Sequence, residues 1–155
     1  KKTLCQRRDF LFIKRYNIFM QISNEINKKK LSIRIVLIIF IIFLLNTLAM
    51  KFHWYFTVWW FDMPMHLLGG FWIGLLLFSI FRVKNINSKN ITKVILLFLV
   101  IAFGWELFEV SVDKIITKNI FNILDTSSDI FFGISGVLFS VLYFNKRIIK
   151  NHNIL

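Results

Sequence analysis

Four stretches of the chain are apolar for long enough to cross a bilayer, and polar or basic residues separate them. The first reads from about Leu31 to Met50, with the unbroken run Ile35–Leu45 at its centre. The others run from about Met63 to Phe81, Ile91 to Val110 and Asp129 to Phe144. Each approaches the ~20 residues a helix needs to span the hydrocarbon core. A cleaved signal peptide fits the first stretch poorly, because the apolar run is long and no A-x-A-like site follows it. The pattern predicts an all-α integral membrane bundle of four transmembrane helices over 31–155. A basic N-terminal segment, residues 1–30, precedes it. No internal repeat or Pro/Gly linker marks a further domain.

Lys and Arg set the direction of threading. Residues 1–34 hold ten of them, the connection after the second span holds Arg82, Lys84, Lys89 and Lys93, and the tail holds Lys146, Arg147 and Lys150. The two remaining connections hold only Lys51, and Lys114 with Lys118. The positive-inside rule therefore places both termini and the 82–93 connection in the cytoplasm, an N-in/C-in topology. Phe52, Trp54, Tyr55, Phe56, Trp59, Trp60 and Phe61 then fall just outside the first span, where an aromatic belt belongs; His53 reads as interfacial. Val112, Ile115, Ile116 and Ile120, among Lys and Asn in 111–124, suit a short amphipathic segment on the outer surface. Phe10–Ile26 mixes apolar and basic residues, as a cytoplasmic-face amphipathic helix or a disordered polar tail would.

Composition agrees. Of 155 residues 57% are hydrophobic and the mean hydropathy is +0.65, more apolar surface than a water-soluble chain of this size can hide. The net charge of +12 does not mark a nucleic-acid binder, because the basic residues cluster at segment ends and suit lipid headgroups and membrane orientation. Cys5 is the only cysteine, which excludes an internal disulfide and a Cys-based zinc site. The chain opens on Lys1 rather than Met, as an N-terminally incomplete fragment would.

Against this background the acidic residues stand out. Six of eight lie between positions 62 and 129, and most fall in or beside the apolar segments. Asp62 and His66 open the second span, Glu106 and Glu109 close the third, and Asp125 and Asp129 open the fourth, each pair spaced to share a helix face. With the topology above, all three pairs lie within one or two turns of the same outer boundary. Charged groups in lipid are costly and face a protein interior or a wet cavity. Blander readings exist for each pair. Asp62 can cap the second span, with Pro64 in its first turn. Asp125 or Thr126 can cap the fourth, and Thr126-x-x-Asp129 resembles a capping box. His66 can be a hydrogen-bonded interior residue. Glu106 and Glu109 are harder to account for, since a helix C-terminus disfavours negative charge; their bland reading has Glu109 reach the interface while Glu106 pairs internally. Gly70-x-x-x-Gly74, and Gly133 and Gly136 with Ser135 and Ser140, supply small faces that let spans two and four approach closely.

Carboxylates with one His can bind a divalent metal, which could activate water or hold a phosphate. One carboxylate could also act as general acid or base beside an ionised neighbour. The sequence has no HExxH, no Gly-rich phosphate loop and no Gly-x-Ser-x-Gly elbow, so no motif specifies catalysis.

The pattern Asp62-x-x-x-His66-x-x-Gly69-Gly70, Trp105-Glu106-x-x-Glu109 and Asp125-Thr126-x-x-Asp129-x-x-x-Gly133-x-x-Gly136 resembles VanZ-like proteins and related small bacterial inner-membrane proteins of unknown function. The resemblance covers about residues 60–140. It departs from VanZ proper in four ways: no basic residue follows Asp62, Glu109 stands where Gln is usual, no Arg precedes Asp129, and Gly133 stands where Asn is frequent. These departures favour the uncharacterised relatives. Membership in the VanZ group would imply a cell-envelope role connected with glycopeptide tolerance and no known substrate.

The expected protein is a multi-pass component of the bacterial inner membrane. Its site is Glu106, Glu109, Asp129 and His66, with Asp62 and Asp125 supporting or capping. The site would bind a cation, a divalent metal among them, or a polar lipid-linked headgroup. Expected partners are the lipid bilayer and a lipid-linked envelope substrate, with homo-oligomerisation open and nucleic acid excluded. A small cation or proton transporter and a scaffold locked by polar pairs are the alternatives.

Overall fold

The computed structural model describes residues 29–83, 86–112, 114–115 and 122–146. The N-terminal stretch Phe10–Ile26 and the apolar residues Ile116 and Ile120 lie outside these, as do the expectations attached to them. The chain divides into two units, Lys1–Arg34 and Ile35–Leu155, and the second holds every candidate site residue.

Four helices are long and apolar enough to cross a membrane: α1 (Lys29–Lys51), α3 (Asp62–Ile80), α4 (Ser88–Val112) and α5 (Ile123–Phe144). A one-turn helix, α2 (Trp54–Thr57), sits in the connection between α1 and α3. Large apolar side chains make up much of their outward surface. Val36, Phe40 and Phe43 on α1, Leu96, Val100 and Leu107 on α4, and Phe131, Phe139 and Leu142 on α5 are all exposed. In water that surface would drive aggregation; in a bilayer the lipid tails are its solvent.

The helix starts differ from those expected from sequence. Phe61, not Asp62, holds the N-cap position of α3, without a side-chain cap bond. Asp62 is the first helical residue, free to point along the helix at His66. The fourth span opens at Ile123 rather than near 129, because Asn122 caps it by accepting a bond from the Leu124 amide at 3.2 Å. Asp125 and Thr126 are therefore not caps, and Asp129 stands almost two turns inside the helix rather than in a capping box. Val112 likewise belongs to α4, and Ile123 and Leu124 to α5, rather than to a surface segment.

The main helix pair is α3 with α5, and α4 packs more lightly on both. Glycine makes the pair possible. A Cβ on Gly70 would collide with the carbonyl of Gly133, and one on Gly136 with the carbonyl of Leu67. A Cβ on Gly133 would reach the Phe98 ring of α4 at 2.6 Å, so the same short stretch of α5 seats both neighbours. Close backbone approach replaces the hydrophobic drive that helices lack in lipid. Farther along the pair, away from the acidic residues, Leu75, Phe78, Val137 and Ser140 are fully buried and Phe78 stacks on Phe144 at 5.0 Å. α1 joins through a bond from the Trp72 indole N–H to the Ile35 carbonyl, 3.1 Å.

Candidate functional site

The glycine seam fixes where the polar side chains meet. Gly70 lies one turn after His66 on α3, and Gly133 one turn after Asp129 on α5. Pressing these glycines together carries His66 and Asp129 to the same level. The imidazole Nε2 then stands 3.5 Å from Asp62 Oδ1 and 3.7 Å from Asp129 Oδ1. The residues Asp62, His66 and Asp129 offer ligand atoms that all lie within 4.8 Å of one another.

Helix α4 completes the cluster from the other side. Glu106 and Glu109 are one turn apart near its end, and with His66 they form a second group whose ligand atoms also lie within 4.8 Å. His66 thus belongs to both groups. The structure brings together five of the six residues singled out by sequence: Asp62, His66, Glu106, Glu109 and Asp129. Asp125, on the exposed first turn of α5, is in neither group.

Exposure falls steadily into the cluster. The side chain of Asp62 is 29% exposed and that of His66 18%, while Glu106 is 8% exposed and Asp129 4%. Asp129 accepts a long bond from Ser128 Oγ at 3.3 Å, but Ser128 also bonds the Asp125 carbonyl at 2.8 Å, so that donor is shared. Among the described residues, no hydrogen bond or ion pair is made to Glu106. Two of these carboxylates, Glu106 and Asp129, are buried, and His66 reaches Asp129. Burying anions without compensation costs several kcal/mol each, roughly, even after relaxation. A bound proton or a bound cation would offset that cost.

The spacings are also compatible with an ion. A direct N–H···O bond would be about 2.9 Å. Two ligand atoms each about 2.1 Å from a tetrahedral metal are separated by about 3.4 Å, close to the His66–Asp62 and His66–Asp129 spacings. One imidazole with several carboxylates is a hard, mixed N/O set of the kind that suits Mn(II) or Zn(II).

Two nearby residues were not singled out from sequence. The Tyr55 hydroxyl of α2 donates to Asn46 Oδ1 of α1 at 2.8 Å. Its phenol is pushed up to about 12, first by burial and then by the negative charges of Asp62 and Glu109. Asn46 carried a signal, a lone amide in an apolar span. Tyr55 carried none, hidden among the belt aromatics.

No curated protein and no solved structure matches the chain. The profile of one family matches residues 17–150, nearly the whole chain, and that family is described as predicted membrane protein (DUF2238). The match supports a small membrane protein of unknown function, the broader part of the resemblance read from sequence. With this profile, and with four helices long and apolar enough to cross a membrane among the described residues, the chain belongs to the DUF2238 family of membrane proteins.

Proposed function

We propose that this protein binds a divalent cation of the Mn(II) or Zn(II) type at the end of its helix bundle. His66, Asp62, Asp129, Glu106 and Glu109 supply the ligands. With both termini in the cytoplasm, the site faces the extracytoplasmic side of a bacterial inner membrane and serves a cell-envelope process. The observation that carries this reading is Glu106, a carboxylate 8% exposed with no hydrogen bond or ion pair to it among the described residues, grouped with His66 and Glu109. A cation supplies the charge that such a group lacks. The gradient of exposure from Asp62 to Asp129 supports entry from the same end, along carboxylates that attract a cation.

The experiment is a titration of purified, chelator-stripped protein in detergent with Mn(II) and Zn(II), followed by calorimetry. The wild type is expected to bind saturably, and Glu106→Gln and His66→Ala to bind at least ~100-fold more weakly while eluting as the same folded species. Each factor of ten is about 1.4 kcal/mol. Equal affinity in both variants and wild type would overturn the proposal.

A further inference from the structure

The connection between α1 and α3 is built with more care than a linker needs. His53 adopts a left-handed conformation, φ 57° and ψ 34°, which turns the chain sharply at the end of α1. Trp54 and Tyr55 then both set their rings against Phe61, each at 5.3 Å and edge-on. Phe56 and Trp59, on the outward side of the same connection, are 83% and 79% exposed. The connection therefore has an inner face, packed on Phe61, and an outer one.

Phe61 is the residue immediately before Asp62. Whatever holds Phe61 holds the backbone from which the Asp62 carboxylate reaches His66. The only described polar tie from this ring group to another helix is the 2.8 Å bond from the Tyr55 hydroxyl to Asn46. Asn46 is an amide inside an apolar membrane helix, where replacement by Leu would suit the lipid better.

We propose that Asn46 and Tyr55 are positioning residues of the cation site: their hydrogen bond pins the 52–61 connection over the Asp62 end of the cluster, sets the Asp62 carboxylate against His66 and restricts access to the imidazole. The phenol is pushed up first by burial and then by Asp62 and Glu109, which agrees with this placement, since it puts Tyr55 within the field of two site carboxylates. A phenol that stays neutral is a donor to Asn46 and adds no charge to an already anionic cluster. The inference takes its purpose from the cation-site reading, but its test reads access to His66 and needs no bound ion.

The test uses the full chain in detergent, stripped of metal by chelator and treated with diethyl pyrocarbonate. Modification of His66 and His53 is followed separately by mass spectrometry. In the wild type His66 should react much more slowly than exposed His53. Tyr55→Phe and Asn46→Leu should each raise the His66 rate roughly tenfold, equivalent to about 1.4 kcal/mol, near the upper end of one net hydrogen bond. His53 should not change, and neither should the thermal transition by more than a few degrees. The double variant should react no faster than either single one, because both remove the same bond. An unchanged His66 rate in both singles, or additive effects in the double, would overturn the proposal. A protein that passes this test yet binds no Mn(II) would retain the gate and lose the cation reading.

Discussion

The α3–α5 pair has two ends made by the same helices on opposite terms. At one, Leu75, Phe78, Val137 and Phe144 fill the space between backbones, and Ser140 satisfies its hydroxyl on the Val137 carbonyl at 2.6 Å. Everything there is accounted for by packing. At the other, Asp62, His66 and Asp129 occupy equivalent positions and α4 adds Glu106 and Glu109. Apolar residues fill the pair at the first end, so close packing of the two helices does not by itself call for carboxylates at the second. On the proposed reading, the carboxylates are kept there to hold a cation.

That contrast can be broken most strongly at the acidic end. Asp129→Asn should weaken Mn(II) binding by at least ~100-fold, in line with loss of a direct ligand beyond the 10–100-fold typical of outer partners. In metal-free protein the same change should leave the thermal transition unchanged or raise it, because a buried charge has been removed. A lower transition without metal would instead make Asp129 a structural residue.

The seam between the ends comes next. Gly136→Leu drives a side chain into the Leu67 carbonyl and should cost about 1–3 kcal/mol, seen as a lower thermal transition in detergent. Because the seam sets the level of His66 against Asp129, Mn(II) affinity should fall with it. At the apolar end, Phe144→Leu should lower stability by a smaller amount, about 1 kcal/mol for a tolerated apolar swap, and leave Mn(II) affinity where it was. Affinity that tracked stability equally at both ends would erase the distinction.

Much of this was legible in the sequence for a definite reason. Period and length mark membrane helices, and glycines at four-residue spacing mark close contacts, because both are local patterns. The residues that meet at the acidic end were singled out in the same way, as charges near the ends of apolar helices. The helix starts were not. Asn122 caps α5 seven residues before Asp129, and nothing in the apolar run announces that the helix begins among Leu124, Asp125 and Thr126. That shift moved Asp129 from a helix end to the interior. Nor could spacing show that Asp125 stays exposed while Asp129 is buried, or that Asn46 reaches Tyr55 nine residues on, since a left-handed turn at His53 makes that contact.

The smallest expected effect concerns Tyr55. Its pKa is raised to about 12 from an ordinary value near 10, so the folded state favours the neutral phenol. Its contribution to stability is fully present below pH about 10 and is lost as the pH rises through about 12. Alkaline titration of phenolate absorbance, wild type minus Tyr55→Phe, should show one tyrosine ionising late. If that difference spectrum titrates near 10, the acidic cluster does not reach α2.

The central claim is that His66 and the carboxylates around it hold an ion. Electron-spin-echo spectroscopy of the Mn(II)-loaded protein addresses it directly, because a coordinated imidazole nitrogen modulates the echo. Modulation by one nitrogen ligand that disappears in His66→Ala is the predicted result. An Mn(II) signal without nitrogen modulation, or modulation that survives the loss of His66, would contradict it.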